Sequence, residues 1–138
     1  MAAQIELYLV RHAIAAERGP KYPDDRLRPL TPAGAKQFAK SVPGLVEMDA
    51  VIDFVLTSPL VRARETATLL AAGLKPKPAL VGHEPDLGEL AARLLGARGS
   101  VEFKKGAVCL IQVDGATPGG PGTLRWMLTP KALRALKP

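Results

Sequence analysis

The sequence predicts an α/β fold: a three-layer sandwich with a mostly parallel central sheet. Three observations carry that expectation. Short apolar runs alternate with stretches of helical periodicity along the whole chain. Gly and Pro, 13 of each, separate these runs and mark tight turns and helix starts rather than low complexity. The length of 138 residues suits one hydrophobic core, so residues 1–138 read as a single domain.

Residues 5–10 read as a buried strand. Ala35, Phe38, Ala39 and Val42 then repeat at the spacing of one helix face, and Pro43-Gly44 is expected to end that helix. Residues 51–56 predict a second strand. A helix follows over residues 59–72 and stops at Gly73. Residues 78–81 suit a short third strand. Leu87, Leu90, Ala91, Leu94 and Leu95 mark the next helix, with Gly96 as its stop. Residues 107–113 and 123–128 read as a strand pair around the Gly/Pro-rich loop 114–122, and a short helix follows Pro130. One local pattern recurs at Thr31-Pro32, Ser58-Pro59, Glu84-Pro85 and Thr129-Pro130. A capping side chain that can accept from free amides precedes a proline, which suits the first helical position.

The charge balance is basic, 19 Lys and Arg against 13 Asp and Glu, a net +6. That favours anionic partners such as phosphate groups or acidic protein surfaces. Nucleic acid is a weak alternative that rests on the charge alone, because aromatic residues are only 4% and stacking platforms are scarce. No apolar run reaches 18 residues, so no membrane span is expected. The N-terminus lacks a basic-then-apolar secretory pattern, and the cytoplasm is the expected location. Cys109 is the sole cysteine and should pack as a small hydrophobe. No carboxylate cluster suggests a two-metal site, and no Gly-rich loop followed by Lys-Ser/Thr suggests a nucleotide. No metal and no cofactor are therefore expected.

In sheets of this kind the functional crevice lies beyond the carboxyl ends of the strands. Three segments fall there: Arg11-His12, the 58–62 turn and Gly82-His83. His12 and His83 are the chain's only two histidines. Arg62 sits in the first turn of a helix, where free amides and the helix dipole already favour an anion. Two arginines, two imidazoles and a helix N-terminus at one sheet edge would make a phosphate pocket, since the guanidinium fork matches phosphate oxygens. An unprotonated histidine nitrogen there could attack phosphorus. Each residue taken alone has a plainer reading. Arg62 could be a solvated helix residue paired with Glu65, and His83 a satisfied loop histidine. Lys131, Arg134 and Lys137 form a basic face on the last helix, explained by complementing the C-terminal dipole without any partner.

These residues sit in longer motifs. Leu7-Tyr8-Leu9-Val10-Arg11-His12-Ala13 resembles the Arg-His-Gly signature of the histidine phosphatase superfamily, with alanine for glycine as in its SixA-type phosphohistidine phosphatase branch. Arg28-Pro29-Leu30-Thr31-Pro32-Ala33-Gly34 is similar to that branch's next motif. Thr57-Ser58-Pro59-Leu60-Val61-Arg62-Ala63-Arg64-Glu65-Thr66-Ala67 is similar to its Ser-Pro-x-x-Arg-Ala-x-x-Thr-Ala element, and Leu80-Val81-Gly82-His83-Glu84-Pro85 to its closing Gly-His motif. The resemblance implies that His12 is the nucleophile that becomes phosphorylated. It implies that Arg11, Arg62 and His83 hold the phosphoryl oxygens, with Ser58 and Arg28 as further substrate-binding candidates. For Arg28, a surface arginine near a helix start is an equal alternative.

The sequence departs from the family at one place. Relatives carry a further strand and helix between the Thr-Ala helix and the Gly-His strand, and many larger members place an acidic proton donor there. Here only Gly73-Leu74-Lys75-Pro76-Lys77-Pro78 intervenes, about two dozen residues fewer, the size of a small supersecondary unit. A true deletion and a segment lost near 75–78 both remain open. Glu17, Asp24, Asp25 and Glu84 are candidate general acids by nearness to the motifs, each with a solvated loop carboxylate as the plainer reading. The expected function is a metal-independent phosphatase acting on a phosphohistidine-bearing protein. A small-molecule phosphomonoesterase and a catalytically weak phosphate-binding module are the alternatives.

Overall fold

The computed structural model describes residues 4–50, 55–74, 79–114 and 120–136. The elements are β1 (Gln4–Arg11), a 3-10 turn (Asp25–Leu27), α1 (Pro32–Glu47), β2 (Val55–Thr57), α2 (Val61–Gly73), β3 (Ala79–Gly82), α3 (Asp86–Leu94), β4 (Val108–Asp114), β5 (Thr123–Leu128) and α4 (Pro130–Ala135). They form one sheet in the order β2-β3-β1-β4-β5. β3 pairs in parallel with both β2 and β1, and β4 is antiparallel to both β1 and β5. Every strand except β4 therefore runs in one direction, and the sheet is mixed with a parallel core.

The strands read as apolar runs because both faces of the sheet are covered. Tyr8 and Val10 of β1 pack with Val81, Val108 and Leu110 in one core, which α1, α2 and α4 cover through Phe38, Leu45, Leu70 and Leu133. Leu9 points the other way and packs with Cys109, Ile111, Leu87 and Ala91 under α3. This period-two division supplies the three layers. Cys109 is fully buried there, as expected, and burial pushes its thiol up to about 11, so it behaves as a hydrophobe.

Three expectations shift. The first helix does not end at Pro43-Gly44 but continues to Glu47, and Asp49 with φ 55° turns the chain. Pro43 forgoes a helical hydrogen bond, but continuation buries Leu45. Gly44 serves packing: a Cβ on it would collide with the Leu133 carbonyl of α4. Second, only two of the four recurrent proline turns cap as expected. Thr31 accepts from Gly34 N–H and Thr129 from Ala132 N–H. Ser58 instead accepts from Leu60 N–H, and α2 begins after it, at Val61. Glu84 accepts from Gly88 N–H from outside α3, which begins at Asp86. Third, the second strand is observed at Val55–Thr57, and its expected start at 51–54 lies outside the described residues. The short crossover at 75–78 also lies outside them. α2 leads into β3, which pairs directly beside β2, so helix and strand form an ordinary parallel β-α-β unit. No described helix is long and apolar enough to cross a membrane.

The close approach of α1 and α4 is testable. Gly44→Ala should cost about 1–3 kcal/mol through overpacking, read as a lower urea midpoint at unchanged slope. Gly19→Ala, where an added Cβ meets nothing within 4 Å, should be neutral or slightly stabilising. Equal effects at the two positions would contradict this packing account.

Candidate active site

The site starts from the end of β1. Arg11 pairs with Gly82 in the β1/β3 register, and His12 N–H donates to the Gly82 carbonyl at 3.0 Å. From the other side Gly106 N–H donates to the carbonyls of Arg11 and His12 at 3.1 and 3.0 Å. Gly106 adopts φ 83°, which a side chain would resist. Beyond the strand, Ala13 N–H donates to Thr66 Oγ1 at 3.0 Å, and that hydroxyl donates to the Arg62 carbonyl at 2.8 Å. Thr66 is fully buried and ties the loop after β1 to the first turns of α2. The Thr66-Ala67 step of the motif contained this residue, but its role as a bolt between two elements depends on tertiary contact.

A cleft of about 330 Å³ opens at this edge, with His12, Arg11, Arg28, Arg62 and His83 among its walls. The sequence-derived site therefore assembles, with one exception. Ser58 does not line the cleft, because its hydroxyl serves the turn before α2. Arg28 is buried, which removes the surface-arginine alternative. Arg62 does not pair with Glu65. It donates to the Asp25 backbone carbonyl at 2.9 Å and to Asp25 Oδ2 at 3.0 Å, while Glu65 accepts from Leu30 N–H.

Asp25 is the residue whose role the sequence did not reveal. Asp24 caps the 3-10 turn by accepting from Arg26 N–H. The next carboxylate is thereby placed between Arg28 at 3.0 Å, Arg62 at 3.0 Å and Arg18 at 3.5 Å. Burial alone would raise the Asp25 carboxyl, but hydrogen bonds from Arg28 and Arg62 outweigh it and hold the group below its ordinary value. Hydrogen bonds from Arg26 do the same for Asp24. Neither can hold a proton for a leaving group near neutral pH, so both fail as general acids. Glu17 and Glu84 remain, and both line the cleft.

A guanidinium has five N–H donors. Asp25 occupies two on Arg62 and the Phe103 carbonyl one on Arg11. The buried Nε atoms of Arg11 and Arg62 have no partner in the structure. The cleft lining holds five cationic side chains, Arg11, Arg18, Arg28, Arg62 and Lys105, against Glu17 and Glu84, and with Asp25 counted the cations still outnumber the carboxylates five to three. An anion such as phosphate fits this surplus of donors and charge. Among the described residues no group of three or more His, Cys, Asp or Glu side chains could hold a metal ion.

His12 is 5% exposed, and its Nδ1 lies 2.6 Å from the Ala13 carbonyl. A carbonyl only accepts, so Nδ1 carries the proton and Nε2 keeps its lone pair. Burial, with smaller contributions from Arg62, Arg11 and Lys105, brings the imidazole down to about 4, against the opposing pull of the Ala13 hydrogen bond. His12 is thus neutral at pH 7 and has a nucleophilic nitrogen. His83 Nδ1 is 3.8 Å from Asp86 Oδ2, one turn along the chain.

The chain is similar to known proteins in sequence and in fold. The histidine phosphatase superfamily (branch 1) matches residues 7–98. An uncharacterized protein of Picosynechococcus sp. is 37% identical over 118 residues, covering 63% of this chain and 71% of the relative. The structure of the protein histidine phosphatase SixA complexed with tungstate superposes with a TM-score of 0.81 at 22% identity, covering 94% of this chain and 99% of that one. A phosphoserine phosphatase from Entamoeba histolytica, bound to 3-phosphoglyceric acid, gives 0.66 at 13% identity over 94% and 99%.

The low proton affinity of His12 has a measurable sign. The folded imidazole sits at about 4 instead of 6.5, so the unfolded chain binds more protons between those values. The stability contribution, about 3 kcal/mol, is complete above pH 6.5 and lost as pH falls toward 4. Ring-resonance NMR, assigned with His83→Gln, should place the His12 midpoint near 4. A midpoint at the ordinary histidine value would refute the desolvated site.

Proposed function

The chain belongs to the histidine phosphatase superfamily, and on that footing we propose that it removes phosphate from phosphohistidine carried by a protein. The observation that supports this most is the buried, Nδ1-protonated His12 beside Arg11 and Arg62 at one sheet edge. In the first step His12 Nε2 attacks phosphorus. The new P–N bond forms as the bond from phosphorus to the substrate nitrogen breaks, and the leaving imidazole takes a proton. Arg11, Arg62 and His83 hold the three phosphoryl oxygens, whose charge is greatest in the transition state. In the second step water attacks phosphorus, the P–Nε2 bond breaks, and inorganic phosphate and neutral His12 are released. The arginines supply the charge that a metal would otherwise provide, so a chelator should leave the rate unchanged.

The leaving group favours phosphohistidine. An alkoxide leaving from a phosphate ester is a strong base and needs a committed acid. Asp24 and Asp25 are held ionised by arginines, which leaves Glu17, exposed, and Glu84, already bonded to Gly88 N–H. An imidazole protonated by solvent departs without such help.

Two experiments test the reading. His12→Ala should lose essentially all turnover, and rapid quench of the wild type should trap one acid-labile phosphate per chain. Arg62→Ala should lower kcat about 100-fold, the usual loss for one transition-state donor. Wild-type rates in His12→Ala would sink the mechanism. For substrate class, kcat/KM for a phosphohistidine peptide should exceed that for a sugar phosphate by at least about tenfold, or 1.4 kcal/mol. A reversed ratio would assign the enzyme to small phosphate esters.

A further inference from the structure

A second hollow, of about 520 Å³, lies against the catalytic cleft, and Arg11 and Lys105 line both. It runs between the start of α1, the 102–106 turn and α4. Lys104, Lys105, Lys131 and Arg134 line it, with Glu102 as the sole carboxylate. No ion pair is recorded for any of these four cations among the described residues. The floor is apolar: Ile14 is 43% exposed there, above the buried rings of Phe38 and Phe103.

The helix-dipole reading of the basic residues on α4 does not account for this groove. Arg134 does lie in the last turn of α4. Lys131 lies in the first turn, where the dipole opposes a cation, and Lys104 and Lys105 are not helical. Lys137 lies outside the described residues. Cations from two separate segments converge on one groove whose lining holds a single carboxylate, Glu102. Such a field attracts a complementary acidic surface and speeds its encounter.

We propose that this groove docks an acidic segment of the phosphorylated protein, with Arg11 at the junction between docking groove and phosphate site. The proposal rests on the phosphohistidine-protein reading and adds what the partner must look like: carboxylates beside the phosphorylated histidine, with an aliphatic side chain against Ile14. The groove is larger than the phosphate cleft it adjoins, and its cations lie outside that cleft except for Arg11 and Lys105. A lone phosphate or a small phosphate ester would leave them unused.

The test uses two labelled synthetic peptides, each with one chemically phosphorylated histidine, flanked by glutamates in one and glutamines in the other. Phosphoramidate is the small control substrate. At low salt the Glu-flanked peptide should show at least about tenfold higher kcat/KM, through a lower KM, and salt should erode the advantage. Lys131→Glu/Arg134→Glu should bring the preference below about twofold while phosphoramidate turnover stays unchanged. The exposed single change Lys104→Glu should reduce it at least about threefold, which guards against misfolding of the double variant. A binding arm needs no catalysis: by fluorescence anisotropy, His12→Ala protein should bind the unphosphorylated Glu-flanked peptide at least about tenfold more tightly than the Gln-flanked one. Equal binding of the two peptides, or a preference that survives charge reversal, would overturn the docking groove. Absence of turnover on all three substrates with the anisotropy preference intact would reject the phosphohistidine reading and support the groove.

Discussion

A strand covered on both faces cannot slip in register, and that restriction on β1 determines the position of the His12 imidazole. Moving β1 by one residue would exchange Tyr8 and Val10 for Leu9 between two cores already filled by other side chains. Parallel pairing with β3 and antiparallel pairing with β4 fix its end from both sides. His12 leaves the sheet at a defined height, where Gly82 and Gly106 hold its backbone. The same burial that fixes its position strips water from the ring and favours the neutral form. Register and reactivity thus have one origin.

The cations need a second device. Arg28 and Arg62 are both buried, and two buried guanidinium groups beside Arg11 repel one another. Asp25 offsets this with one carboxylate shared by Arg28 and Arg62, reached as well by Arg18. A buried ion pair gives little net stability once desolvation is counted, whereas orientation is what a phosphate site requires. The sharing is incomplete by charge, and the surplus is what an anion would complete. Thr66 adds a neutral restraint, holding the Ala13 amide and the Arg62 carbonyl through one hydroxyl.

The sequence could be read well where the signal was local or periodic. The alternation of apolar runs and helix faces placed the strands and helices, and the positions after strands placed Arg11, His12 and His83. It failed where long-range packing decided. Pro43-Gly44 has the composition of a helix end, but α1 continues through it, and the absent side chain of Gly44 leaves room for the Leu133 carbonyl of α4. Ser58 has the chemistry of a phosphate ligand, but the chain turn takes its hydroxyl. Asp24 and Asp25 are adjacent and alike in sequence. One caps a turn and the other organises arginines, a distinction that needs Arg62 to arrive from 37 residues away.

The phosphate pocket itself does not select a substrate. Its donors see only phosphoryl oxygens, common to every phosphorylated molecule, and one fold can serve many such molecules. Discrimination must come from what surrounds the phosphorus: the group that leaves and the surface that carries it. The leaving group meets carboxylates that are ionised, exposed or already hydrogen-bonded, a poor setting for expelling an alkoxide. A protein carrier would meet a basic groove whose wall includes Arg11, the residue adjoining His12 in sequence. Because Arg11 lines both spaces, a docked carboxylate and a bound phosphoryl group would act on one guanidinium. A carboxylate seated too near it would compete with the phosphate. A partner docked as proposed would keep its acidic residues toward Lys131 and Arg134 and leave Arg11 to the phosphoryl group, a geometric condition that a uniformly acidic surface does not meet.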